Sequence, residues 1–259
     1  MSVGTDPTET TDEKQESGGQ MSFLDHLEEL RTRLIRILIA VGLTFAACWS
    51  FASDSLFAIV RKPIMSAIGN KPLVFNSVTE PFNLQIKVAL VAAVFLAAPF
   101  IMAQVWLFIA PGLYKHERSY AAPFIISAWI LFIVGGIFGY FIAFPFALQY
   151  LVSLGGDMGL EPVLSAATFF DLFVTVEIGL GIVFEIPAVI FVLSRFGLVT
   201  AGFLLRNTKY AILIAFVLAA VLTPTGDIPN MMIMAVPMIM LYLLGVLVAF
   251  LFGKKRSDA

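Results

Sequence analysis

VALVAAVFLAAPFIMAQVWLFIAPGLY, residues 88–114, runs for 27 positions without an Asp, Glu, Lys or Arg. At 1.5 Å per helical residue it reaches about 40 Å, more than the roughly 30 Å hydrocarbon core of a bilayer. Uncharged runs at 37–53, 119–156, 210–226 and 228–253 repeat the pattern, and a sixth, 169–194, is apolar apart from Asp171, Glu177, Glu185 and a few small polar residues. Of the whole chain 59% is hydrophobic and 13% charged, with a mean hydropathy of +0.94. A water-soluble fold has no interior large enough for that surface. The expectation is an all-α polytopic membrane protein with six transmembrane helices.

Prolines and lengths refine the spans. The run 119–156 holds Pro123 and Pro145 but no polar turn, so it reads as one long helix, bent or ended near Pro145, rather than as a hairpin. The fifth run is solidly apolar only over 210–222, about 20 Å of helix. The last two spans are therefore expected to form a short pair, around which the bilayer thins or which does not fully cross. The sixth run itself has length to spare and a bend at Pro237.

Positive charge sets the orientation. Lys14, Arg31, Arg33, Arg36, Lys115, Arg118, Arg195, Arg206, Lys209, Lys254, Lys255 and Arg256 fall on one side, against Arg61, Lys62, Lys71 and Lys87 on the other. Twelve against four puts both termini in the cytoplasm and 53–81, 155–168 and 223–229 outside. Residues 1–20 carry Asp6, Glu9, Asp12, Glu13 and Glu16 with almost nothing apolar. They read as a disordered acidic tail, without the apolar centre of a secretory signal or the basic character of a transit peptide, which favours a bacterial inner (plasma) membrane. The organisation expected is this tail, a membrane domain over 21–253 and a basic cytoplasmic tail over 254–259. The cations form small clusters between apolar runs, so nucleic acid is not an expected partner. The single cysteine, Cys48, lies in an apolar run and reads as a packing residue; no metal site or cofactor is expected.

Three segments carry chemistry. In SFLDHLEELRTRL (22–34), Phe23, Leu27, Leu30 and Leu34 recur at helical spacing, giving an amphipathic helix at the cytoplasmic surface. Ser22 with Asp25 fits a capping box, and Glu29 with Arg33 is an i,i+4 pair. Pattern alone favours a solvated salt bridge there. In QVWLFIAPGLYKHER (104–118), Trp106 and Tyr114 read as interfacial anchors and Lys115 and Arg118 as topogenic cations, which leaves Glu117 without a role. In the fourth span, Asp171, Glu177 and Glu185 spread over roughly 120° of a helical wheel. A carboxylate at mid-membrane costs at least about 2.5 kcal/mol, so function is the default reading for Glu185, whereas Asp171 lies near the outer interface.

HLEELR (26–31), FIAPGLYKHE (108–117), FGYFIAFP (138–145), FEIP (184–187) and LTP (222–224) occur in this order, and together the chain resembles the TatC family, receptor core of the twin-arginine protein translocase. The resemblance covers 21 to about 253. It implies a cytoplasmic site for twin-arginine signal peptides with acids at Glu29 and Glu117, flanked by Leu30, Arg31, Lys115 and His116. It also implies an intramembrane acid, Glu185, facing the single-span partners TatA and TatB, assembly into a multi-copy complex, and export of folded proteins driven by the proton-motive force. Glu177, grouped with Glu185 as an intramembrane polar site, departs from the family pattern. The rival reading is an ion-coupled carrier of a small solute using Glu177 and Glu185, which internal inverted repeats would favour and the sequence does not display. An intramembrane hydrolase ranks last, because His26 and His116 sit at helix ends and neither Gly-x-Ser-x-Gly nor HExxH occurs.

Overall fold

The computed structural model describes residues 23–69, 72–109, 121–157, 165–223 and 227–253. The first helix, α1 (Phe23–Ala67), runs unbroken for 45 residues, about 67 Å, roughly twice the hydrocarbon thickness. The surface helix and the first span are thus one rod, and the expected outer loop at 53–81 begins as further helical turns. The uncharged run ends at Ser53, before Asp54. The apolar spacing continues past them, with Val60, Ile64 and Ile68 buried four residues apart, so one face of the helix stays packed after its other face has reached water.

The second helix, α2 (Glu80–Ile109), returns along α1, and Thr44 Oγ1 donates across to the Ala93 carbonyl at 3.1 Å. The third span is continuous, as its lack of a polar turn implied. It comprises α3 (Ala121–Phe138), a π-turn at Gly139–Ala143 and α4 (Phe144–Asp157). Pro145 has no N–H to offer, and the ladder accommodates this by widening one turn, the Phe144 N–H reaching back to the Gly139 carbonyl. Gly135 and Gly136 let this helix approach its neighbours. A Cβ on Gly135 would stand 2.8 Å from the Leu180 carbonyl oxygen, and one on Gly136 2.3 Å from the Phe95 ring.

The fourth span breaks where sequence periodicity does not show it. Helix α5 (Ala166–Val183) ends before Phe184 and Glu185, and α6 (Ile186–Arg195) restarts with Pro187 in its first turn. A short α7 (Ala201–Arg206) precedes α8 (Thr208–Leu222) and α9 (Ile228–Phe252). Shortness is confined to α8, whose 15 residues span about 22 Å. The 25 residues of α9 suffice for a crossing. Among the described residues, five helical segments are long and apolar enough to cross a membrane, and α8 is a sixth, shorter apolar helix.

The main core is aromatic and aliphatic, with Phe144, Phe170, Leu148, Leu180, Val176 and Ile64 fully buried. A smaller cluster closes the cytoplasmic end around Trp106, Phe124, Ala128, Ala188 and Val192. Trp106 is therefore not an interfacial anchor: its ring lies 4.7 Å from that of Phe124 and is buried. Cys48 is free and buried among packing residues.

Candidate functional site

At the cytoplasmic end, α1 lies across the last turns of α2 with its polar face inward. His26 stacks on Phe108 with centroids 4.4 Å apart. Two turns along, the Arg33 guanidinium donates to Glu29 Oε1 through Nε at 3.0 Å and through Nη2, and its Nη1 reaches Gln104 Oε1 at 3.4 Å. The Glu29 and Arg33 side chains are 17% and 16% exposed, so the pair is sheltered between helices and not the solvated bridge that pattern alone suggested. Gln104, buried in α2, supplies the third member. Leu27, Leu30 and Leu34 face outward instead, because in a bilayer the apolar stripe can meet lipid and the polar stripe the protein.

One oxygen of this cluster is unspent. Glu29 Oε2 is buried and has no hydrogen-bond partner among the described residues. A carboxylate with one oxygen fixed by arginine and the other bare retains acceptor capacity for a further cationic donor. Arg31 is exposed beside it, as are Leu30 and Glu28. Lys115, His116 and Glu117 lie outside the described residues, as do the tails at 1–20 and 254–259 and the capping serine Ser22.

The three acids of the fourth span do not share one environment, since the break at Phe184–Glu185 interrupts the wheel on which they were aligned. Asp171 pairs with Lys87 of α2 at the exposed outer edge. Glu177 is 4% exposed, its carboxyl resting on Gly136 and Gly139 of the third span. Glu185 sits at the junction before α6, half-buried, and Glu177 and Glu185 each hold one buried oxygen without a partner among the described residues.

A fourth acid went unnoticed in the sequence. Glu80, at the outer start of α2, accepts from the Asn76 N–H at 2.7 Å through Oε2 and from the Ala167 N–H at 2.9 Å through Oε1. The second donor is an otherwise orphaned amide in the first turn of α5. Beside it, the Ala166 N–H donates to the Val74 carbonyl at 2.9 Å, and Asn76 Nδ2 donates to Ser165 Oγ at 3.3 Å. Glu80 thus clasps the outer ends of two spans. The available signal was a lone acid at a helix start following Asn, Ser and Thr, too common to single out. Among the described residues, no three His, Cys, Asp or Glu side chains gather as metal ligands would.

The family model of the Sec-independent protein translocase protein (TatC) matches residues 25–237. A Sec-independent protein translocase protein TatC of Koribacter versatilis is 45% identical over 246 residues, covering 93% of this chain and 90% of the relative. The chain belongs to the TatC family. Another TatC relative, from Aquifex aeolicus, is 35% identical over 92% of this chain and 98% of its own length. Two crystal structures of the twin-arginine translocase receptor TatC, each 35% identical and covering 86% of this chain, superpose with TM-scores of 0.75 and, for the form crystallised in DDM, 0.78. They are covered over 97% and 99% of their own lengths. A TatC-family chain is a core subunit of the twin-arginine translocase and a multi-pass inner-membrane protein, and this membership sets aside the solute-carrier reading.

Proposed function

We propose that the cytoplasmic end of α1 and α2 receives the twin-arginine signal peptide of a folded precursor, with Glu29 and Glu117 each taking one arginine. The observation that carries this is the bare Oε2 of Glu29, sheltered between helices and unused by Arg33. Glu117 follows the end of α2 at Ile109 by eight residues, and on this reading it shares the end of the helix pair at which Glu29 lies. An arginine guanidinium offers a carboxylate two parallel hydrogen bonds, whereas lysine offers a point charge, and this accounts for a ligand with two arginines. Exposed Arg31 beside Glu29, with Lys115 and His116 next to Glu117 in the sequence, adds positive charge that a merely basic segment must overcome, and exposed Leu30 offers apolar contact.

Within the membrane, Glu185 is the contact for a polar side chain of a single-span partner of the TatA and TatB type, because a buried carboxyl oxygen without a partner among the described residues, at a break in an apolar span, seeks a donor from outside. Glu177, 4% exposed and packed against Gly136 and Gly139, is not assigned to that contact. In this reading the chain performs no enzyme chemistry: several copies organise the partners, and the proton-motive force drives export. The 1–20 and 254–259 segments act as tails flanking the membrane domain. The deciding experiment titrates purified protein with a twin-arginine peptide and its two-lysine variant. Binding of the first at least ten-fold tighter supports the reading; equal binding overturns it.

A further inference from the structure

Among the described residues, Arg61, Lys62 and Lys87 run against the positive-inside trend, and Lys87 is engaged by Asp171. Arg61 and Lys62, neighbours near the outer end of α1, are exposed and make no ion pair among the described residues. Lys62 borders a cleft of about 260 Å³ with Ser66 and Gln149 on its polar rim and Tyr140, Phe141 and Pro145 behind. Directly below it along α1 lies a second cleft of about 270 Å³, lined by Leu56, Ile59, Val60, Phe95 and Ile137 among others. The two share Tyr140 and Phe141 and so stack end to end between α1 and the third span.

The wall between them is held by the backbone. Pro63 cannot donate to the Ile59 carbonyl four residues before it, and the Tyr140 hydroxyl takes that acceptor at 3.0 Å. The π-turn that carries Tyr140 is thereby tied to α1 at the junction of the clefts.

We infer that these two clefts form one site for an anionic phospholipid of the outer leaflet, its phosphate on Lys62 and one acyl chain in the lower cleft. The amphiphilic division matches such a ligand: a cation and hydrogen-bonding side chains at the interface, then an almost wholly apolar lining at acyl depth. A partner helix is the poorer occupant. It is about 10 Å across, and the one polar group it would seek, the Glu177 carboxyl, is withdrawn against Gly136 and Gly139 and leaves only 4% of the residue exposed. An acyl chain needs no such group. The site also gives the outward lysine a role that topology does not.

The test uses the full chain in mild detergent with a phosphatidylglycerol carrying a diazirine midway along one acyl chain. Labelling should concentrate on the peptides holding 56–60 and 137–141. It should fall at least three-fold in Lys62→Gln and in Ile137→Trp, both at exposed positions that leave the core intact. Label spread evenly over the outer faces of the other spans, or unchanged in Lys62→Gln, overturns the site. So does a photoreactive residue at 137 that captures a protein in native membranes instead of lipid.

Discussion

Glu29 and Glu80 are carboxylates at opposite ends of the same helix pair, and they differ in how much of each is used. Glu80 is buried with both oxygens occupied by backbone N–H groups, one from the approach to α2 and one from the first turn of α5. Glu29 is sheltered rather than fully buried, and only one of its oxygens is bonded while the other is buried and bare among the described residues. A saturated carboxylate fixes structure, because its removal strands the donors it satisfied; a half-used one keeps an acceptor for a ligand, and its removal leaves Arg33 still bonded to Gln104. Burial alone does not distinguish the two, and neither does net charge.

The outer carboxylate should matter most to stability. Replacing Glu80 by alanine should destabilise the protein by about 3 kcal/mol, the scale of two charged hydrogen bonds lost and buried amides left unpaired. Glu80→Gln should recover part of this, since one amide oxygen still accepts. The measurement is thermal melting in detergent, and an unchanged midpoint for Glu80→Ala would refute the clasp. Peptide affinity in the surviving folded fraction should be unaltered.

At the inner end the signs reverse. Glu29→Ala and Glu117→Ala should each weaken twin-arginine peptide binding by about 2 kcal/mol, the scale for losing a sheltered charge partner, with little effect on melting. Glu28→Ala is the control, because that side chain is exposed and turned about 100° from Glu29. Equal losses from Glu28 and Glu29 would return the site to general surface charge.

Glu185 lies between the extremes. It is half-buried with one bare oxygen, like Glu29, but within a span. Glu185→Ala should reduce cross-linking to single-span partners by about 1 kcal/mol in apparent association, as interhelical hydrogen bonds in membranes do, and leave peptide affinity intact. Undiminished cross-linking would remove it from the partner contact.

The spans were legible because lipid admits few solutions: an uncharged run of sufficient length must cross as a helix, and no polar turn at Gly135 and Gly136 meant one crossing. Tertiary features were not legible in the same way. The continuation of α1 to Ala67 hid behind Ser53 and Asp54, which a helix tolerates once it emerges into water. The break at Phe184 and Glu185 left only Pro187 as a trace, and a proline in an apolar run signals a bend as readily as an end. The Glu29–Arg33 pair was visible as an i,i+4 spacing, but its burial depends on Gln104, 71 residues away from Arg33. The Glu80 clasp joins residues 87 apart through backbone donors, which carry no residue-type signature at all.

The smallest expected effect concerns Arg33, the residue that keeps Glu29 half-used. Its guanidinium occupies Glu29 Oε1, so an incoming cation either binds the remaining oxygen or displaces Arg33. A twin-arginine ligand recovers that cost through paired hydrogen bonds; a lysine ligand, with a point charge, recovers less. On the proposed reading, Arg33 therefore acts against merely basic peptides more than against a twin-arginine ligand. The pair is partly exposed, 17% for Glu29 and 16% for Arg33, and such i,i+4 pairs are worth about 0.5 kcal/mol after solvent screening. Arg33→Gln should accordingly raise the affinity of the two-lysine peptide by about two-fold and move the twin-arginine peptide less, narrowing the ratio between them. Parallel titrations of both peptides read this directly. If instead the twin-arginine peptide alone loses affinity, Arg33 serves to hold Glu29 in place, and discrimination resides in the carboxylate geometry without help from a competing cation.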